Sequence, residues 1–167
     1  MAYITIERYP KGKIDYSYVK KTDVVAILVE TEIAKEHNLL LTQQFRIGPF
    51  INQGLVQFLE LPAGNIDPGE SPEEAAEREL FEETGIIPLT PMVNLGFVYS
   101  SPGCFTERTF LYYYYLVDSS EAKLKVDSVE GHEHLVNRWV PRKTLKAEHF
   151  HDAKLLAAMT LAYDIHR

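Results

Sequence analysis

The sequence predicts an α/β sandwich built on a mixed sheet. Three observations point there: short β-prone runs crowd around one central helix whose two ends are both marked, the aromatic run 109–117 is apolar on both faces, and a second apolar-striped helix closes the chain. At 167 residues the chain reads as a single domain, 1–167, large enough to bury a core. Its 46% apolar and 25% charged residues are those of an ordinary globular protein. No internal repeat or low-complexity segment interrupts it.

Taken in order, residues 3–8 and 15–19 read as two strands ahead of the core, within about the first 20 positions. Further strands are expected at 24–30, 39–45 and 56–61, then at 92–100, 109–117 and 135–140. The run from Thr109 through Phe110, Leu111, Tyr112, Tyr113, Tyr114, Tyr115 and Leu116 to Val117 suits a central strand covered on both sides. Four adjacent tyrosines also suit a stacking platform for bases, but no basic residue is interleaved after Arg108, which favours the core. The stretch 118–134 is polar and reads as a long connection, with a short strand around 122–126. A short helix is expected after Pro141. A longer one is expected over about 152–165, where Leu155, Leu156, Met159 and Ala162 repeat at helical spacing.

The central helix is the best specified element. Ser71 is an N-cap, Pro72 fits the first helical position, Glu74 completes a capping box, and Gly85 supplies the stop. Between those ends Glu79, Glu82 and Glu83 fall at i, i+3 and i+4, so their side chains share a face. Most glutamate-rich helices are simply solvated. Here nine acidic residues from Glu60 to Glu83 are accompanied by one basic residue, Arg78, so neutralising neighbours are nearly absent. Like charges at this spacing repel. A cation relieves the conflict, and Mg²⁺ is the hard ion that carboxylates with room for phosphate ligands suggest. No Asp-x-Asp-x-Asp-Gly loop accompanies the helix, which argues against a calcium-loop protein.

The pattern Gly64-x5-Glu70-x7-Arg78-Glu79-Leu80-x-Glu82-Glu83-x-Gly85-Ile86 resembles the Nudix hydrolase signature at every position. At about 7% per fixed residue, chance gives such a match on the order of once in 10⁹ windows. The resemblance implies an α/β/α sandwich with a mixed sheet, the signature forming a loop–helix–loop. It implies metal ligands at Glu79, Glu82, Glu83 and the backbone carbonyl of Ala63, with Gly64 leaving room for the ion. Mg²⁺ is the implied cofactor, Mn²⁺ its substitute. Arg78 and Glu70 are implied as supporting residues that orient carboxylates; the plain alternative for both is a helix-surface pair.

Other segments resemble the ADP-ribose pyrophosphatase and nucleoside-diphosphate-sugar hydrolase branch of that family. They are Leu59-Glu60-Leu61-Pro62-Ala63-Gly64, Gln43-Gln44-Phe45-Arg46, and Ser101 to Arg108, with Pro102 sixteen residues beyond Ile86. By that resemblance Arg46, Glu60, Glu107 and Arg108 contact substrate or a partner subunit, and the N-terminal strands form a dimerisation arm. The general base is expected on the loop before the late strand, at Glu133 in preference to Glu130, with the loop histidines His132 and His134 as outside candidates. The implied activity, for which Glu79, Glu83 and Glu133 are the catalytic candidates, is hydrolysis of the pyrophosphate of ADP-ribose or a related nucleotide sugar. The alternatives are a Nudix enzyme for another dinucleotide or a nucleoside triphosphate, and a non-catalytic module that senses nucleotide sugars.

A net charge of −7 argues against nucleic acid as a partner, since such binding rests on clustered Lys and Arg. Cys104 is the single cysteine, so no internal disulfide forms and a reducing compartment is expected, with Cys104 filling a small turn pocket. The first residues lack a leader's apolar core, and no stretch is long enough to span a bilayer. The expectation is a cytoplasmic homodimer that binds a small nucleotide sugar and no membrane. His149 and His151 are expected to be exposed.

Overall fold

The computed structural model describes residues 5–118, 128–130, 133–145, 151–163 and 165, with the backbone alone at 128–130, 133 and 134. Strands β1 (Thr5–Lys11) and β2 (Ile14–Lys20) form a separate two-stranded antiparallel hairpin, tied to the rest of the chain by a parallel bridge, Val19 with Phe105. Gly12 sits in its turn at φ +65°, a left-handed conformation that glycine adopts without strain. The main sheet contains β3 (Val24–Ile33), β4 (Glu36–Gln44), β5 (Phe58–Glu60), β6 (Ala63–Asn65), β7 (Val93–Tyr99), β8 (Arg108–Leu116), β9 (Ser128–Glu130) and β10 (Glu133–Pro141). Its order is β7-β8-β3-β4-β10-β9, with β5 on β4 and β6 on β3. Among the described residues of this sheet the β3–β8 pair alone is parallel, so the sheet is mixed. Among the described residues three α-helices join the sheet: α1 (Ile47–Gln53), α2 (Pro72–Thr84) and α3 (Ala153–Leu161).

The alternation of side chains along β3 and β8 builds two cores. Val25, Ile27, Val29, Tyr112 and Tyr114 pack with Ala75, Ala76 and Leu80 of α2 on one face. Ala26, Leu28, Leu111 and Tyr113 pack with Leu155 and Ala158 of α3 on the other. The helices therefore cover opposite faces, giving the expected α/β/α sandwich. Leu80 is fully buried, which is worth roughly 1.5–3 kcal/mol and holds the acidic helix on the sheet. The tyrosine run is core: Tyr112, Tyr113 and Tyr114 are at most 4% exposed.

The sheet splits where the cleft forms. Near its end β3 pairs β4 (Val29 with Leu40), but at its start it pairs β6 (Val25 with Gly64). Strand β4 likewise leaves β3 and takes β5 (Thr42 with Glu60). The two strands diverge, and the peptide 58–65 fills and lines the gap.

Some elements differ from those expected. The segment 56–61 holds only three strand residues before Pro62, which has no N–H for a ladder, and β6 follows. Helix α1 has no sequence counterpart. The C-terminal helix is shorter than 152–165, because Asp152 caps it and it ends at Leu161. The short helix after Pro141 is a single 3-10 turn, Arg142–Thr144. Cys104 is exposed, with Sγ 3.1 Å from Ser101 Oγ, and fills no pocket. His151 is exposed; His149, His132 and the strand expected at 122–126 lie outside the described residues. Among the described residues no helix is long and apolar enough to cross a membrane.

Candidate active site

Helix α2 delivers its acidic stripe into a cleft of about 520 Å³ at the split of the sheet. Glu79, Glu82 and Glu83 line it together with Ala63, Gly64, Arg46, Glu60 and Glu107. Ser71 accepts from the Glu74 amide at 3.2 Å and the Glu74 carboxylate accepts from the Ser71 amide at 2.8 Å, so the capping box fixes where the stripe begins. At the other end the Asn137 side chain of β10 donates to the Glu83 carbonyl at 2.7 Å. Gly64 passes so close to the helix that a Cβ there would lie 1.9 Å from Glu79 Cδ. The neighbouring Ala63 amide donates to Glu83 Oε2 at 3.0 Å.

Arg78 ties the stripe to the preceding loop. Its Nε and Nη2 grip both oxygens of Glu70 at 2.8 and 2.9 Å, Nη1 reaches Glu79 at 2.8 Å and Glu82 at 3.1 Å, and Nη2 donates to the Asn65 carbonyl at 2.9 Å. The guanidinium, with the Asp67 amide, holds the Glu70 carboxyl down to about 2.

Glu83 moves the other way. Burial, opposed by the Ala63 amide and added to by the charges of Glu79 and Glu60, pushes its carboxyl up to about 8. Across the cleft Glu60, 2% exposed, pairs with Arg46 Nε at 2.7 Å and Lys154 Nζ at 3.3 Å. Burial lowers the Lys154 ammonium, but Asp152 and Glu60 together raise it above the ordinary lysine value. Buried Glu107 is paired with Lys21 and accepts from Ser100 Oγ at 3.2 Å.

The lining carries five carboxylates (Glu60, Glu79, Glu82, Glu83, Glu107) against three cations (Lys21, Arg46, Lys154). This excess of carboxyl groups over cations, with Glu83 pushed up to about 8 chiefly by burial and further by the charges of Glu79 and Glu60, gives hard oxygen donors that fit a divalent cation such as Mg²⁺. Among the described residues no three acid, imidazole or thiol groups enclose an ion unaided.

The NUDIX domain model matches residues 20–159, most of the chain and the whole of this cleft. The chain belongs to the Nudix family. It is an enzyme of the Nudix hydrolase class, and it is 31% identical over 129 residues to an ADP-ribose pyrophosphatase of Bacillus subtilis, covering 77% of this chain and 65% of that protein. An ADP-ribose pyrophosphatase of Haemophilus influenzae is 38% identical over 92 residues, 53% of this chain and 42% of the relative, so this chain spans only part of these two relatives. An 8-oxo-dGTP diphosphatase of the same organism is 29% identical over 147 residues, 88% of this chain and 96% of its own length. The fold matches a crystal structure described as an ADP compounds hydrolase, with TM-score 0.66 and 19% identity over 96% of this chain and 91% of that one.

Within this Nudix cleft the structure gathers Ala63, Gly64, Glu79, Glu82, Glu83, Arg46, Glu60 and Glu107. Glu70 and Arg78 stand beside it. Arg108 is elsewhere: its guanidinium pairs with Asp23 at 2.5 Å, stacks over Phe110, and lines a neighbouring hollow with Tyr18 and Thr106. Pro102 is exposed in the 101–104 turn, whose Ser101 carbonyl accepts from Cys104 and Phe105. The backbones of Glu133 and Glu130 face each other across β9 and β10, and their side chains, like that of His134, lie outside the described part. Lys154, Lys21, Gln44, Asn65 and Leu135 also line the cleft. Sequence reading missed them, though a lysine two residues after the helix-capping Asp152 was a signal in principle.

Proposed function

We propose that this chain hydrolyses the pyrophosphate link of ADP-ribose or a related nucleoside-diphosphate sugar with Mg²⁺, giving a nucleoside monophosphate and a sugar phosphate. The observation that carries this reading is the cleft in which an acidic helix stripe faces Arg46 across about 520 Å³. Glu79, Glu82, Glu83 and the Ala63 carbonyl hold the metal. When bound, Mg²⁺ polarises the phosphoryl oxygens, acidifies a water and offsets charge on the departing phosphate. Gly64 leaves the room that Glu79 occupies, Arg78 orients the Glu79 and Glu82 carboxylates, and Arg46 takes a phosphate oxygen. Glu60 and Glu107 fix the cations around the substrate, and Glu133 accepts the proton of the attacking water. The names of two relatives, both ADP-ribose pyrophosphatases, support this substrate class. We read the enzyme as a cytoplasmic homodimer with the β1–β2 hairpin as its arm.

A second reading is a nucleoside triphosphate diphosphatase, favoured by the relative that matches over 96% of its own length. One assay separates the two. ADP-ribose, GDP-mannose, NADH and 8-oxo-dGTP are offered with and without Mg²⁺, and products are resolved by chromatography. The first reading expects the highest kcat/KM for ADP-ribose, with AMP and ribose 5-phosphate as products. A preference for 8-oxo-dGTP with release of pyrophosphate replaces it by the second.

A further inference from the structure

We propose that Lys154 is a positioning residue of the cleft, which occupies one oxygen of Glu60 and so leaves the fork of Arg46 open to the substrate's phosphate. The inference rests on the assignment of Arg46 to substrate and adds a residue from α3, outside the signature. Glu60 is 2% exposed and offers two oxygens. Oε1 accepts from Arg46 Nε at 2.7 Å, while Oε2 faces Lys154 Nζ at 3.3 Å. Arg46 thus engages Glu60 through Nε, with its side chain 41% exposed toward the cleft.

The same molecule shows what an arginine does with a carboxylate it has to itself. Arg78 closes on both oxygens of Glu70, through Nε and Nη2, in the two-pronged geometry that guanidinium and carboxylate favour. At Glu60 the second prong is blocked because the ammonium holds that oxygen. The lysine is itself fixed: Asp152 Oδ1 lies 3.2 Å from Nζ, and Asp152 Oδ2 accepts from the Leu61 amide at 3.4 Å. The cap of α3 therefore registers Lys154 against the strand that carries Glu60. Without the ammonium, one oxygen of a buried carboxylate loses its partner, and an unpartnered charged oxygen in the interior is costly enough to draw the whole guanidinium onto it.

The test compares K154M, K154R, E60Q and the double variant E60Q/K154M. Affinity for the non-hydrolysable α,β-methylene analogue of ADP-ribose is measured by calorimetry, and KM and kcat by product release. K154M is expected to weaken analogue binding about tenfold, the loss typical of one charge-assisted hydrogen bond, and to raise KM in parallel with kcat changed by less than about threefold. K154R restores both, and K154M adds no further loss in the E60Q background, because the carboxylate it screens is gone. Binding by K154M within about twofold of wild type, an equal defect in K154R, or an additive defect in the double variant overturns the proposal. If K154M gives no cooperative thermal transition, K154Q takes its place. Failure of the ADP-ribose reading shows separately, as a different preferred substrate of the wild type, and the same variants are then measured on that substrate, whose phosphates meet the same cations.

Discussion

A methyl group on residue 64 would stand 1.9–2.2 Å from three atoms of the Glu79 carboxylate. That atom set is the far end of a flexible side chain, so the backbone can stay while the carboxylate must swing away. Gly64→Ala is expected to cut kcat by about a hundredfold or more while the thermal midpoint moves by only a few degrees, which paired activity and melting measurements check. Glu83 yields a pH signature. Its folded value of about 8 stands above the ordinary 4.5, so its contribution is neutral below pH 4.5 and increasingly unfavourable up to about pH 8. With divalent ions chelated, the midpoint of E83Q should therefore gain on that of wild type as pH rises from 5 to 8, and a constant difference would refute the assignment. With Mg²⁺ the same variant should lose turnover by orders of magnitude. Glu70, Arg78, Glu79, Glu82 and Glu83 were legible in sequence because one helix and its leading loop present them at fixed spacing. Lys154 and Lys21 were not, since their partners Glu60 and Glu107 stand 94 and 86 residues away.

At the scale of elements, α2 was readable because its signals are local. Ser71 and Glu74 satisfy each other's amides, Pro72 opens the helix, and Gly85 closes it at φ +79°. Ser71→Ala is expected to cost about 1 kcal/mol, a drop of roughly 2–4 °C in the melting midpoint. The Ser71 amide, then its hydroxyl, holds the Glu74 carboxyl below the ordinary 4.5. Its stabilisation is present above that pH and fades as the carboxyl protonates, so the gap between wild type and E74Q should close as pH is lowered through and below 4.5 in thermal melts. A gap that persists in acid would mean that Glu74 acts by packing. Helix α1 escaped notice because Gly48 and Pro49 within Ile47–Gln53 read as a turn, and the helix buries none of its residues. Strand β6, Ala63–Asn65, has no β-prone residue at all; the ladder with Val24–Ala26 imposes it.

Over the whole molecule, the hairpin, the loop after β7 and the cleft form one connected path. The Val19 amide donates to the Cys104 carbonyl at 2.7 Å, the Thr106 amide returns to Val19 at 3.2 Å, and Lys21, just past β2, pairs with Glu107 in the cleft. Yet among the described residues little covers the hairpin: Tyr9 opposes Tyr16 and Lys11 opposes Ile14 on one face, where Tyr9 is 60%, Ile14 58% and Tyr16 48% exposed. A lone two-stranded ribbon is marginal in water, and contiguous exposed apolar side chains mark an interaction surface. A second copy of the chain is the occupant consistent with the dimer proposed above. Light scattering on the eluting protein should then give a dimer for wild type at micromolar concentration and a monomer for the double variant I14D/Y16D, because two buried carboxylates cost more than the apolar contact returns. The Lys21–Glu107 pair, beyond the substituted face, should still hold the cleft's edge in the monomer. A monomeric wild type removes the dimer altogether, and a dimer indifferent to both aspartates moves its interface away from the hairpin.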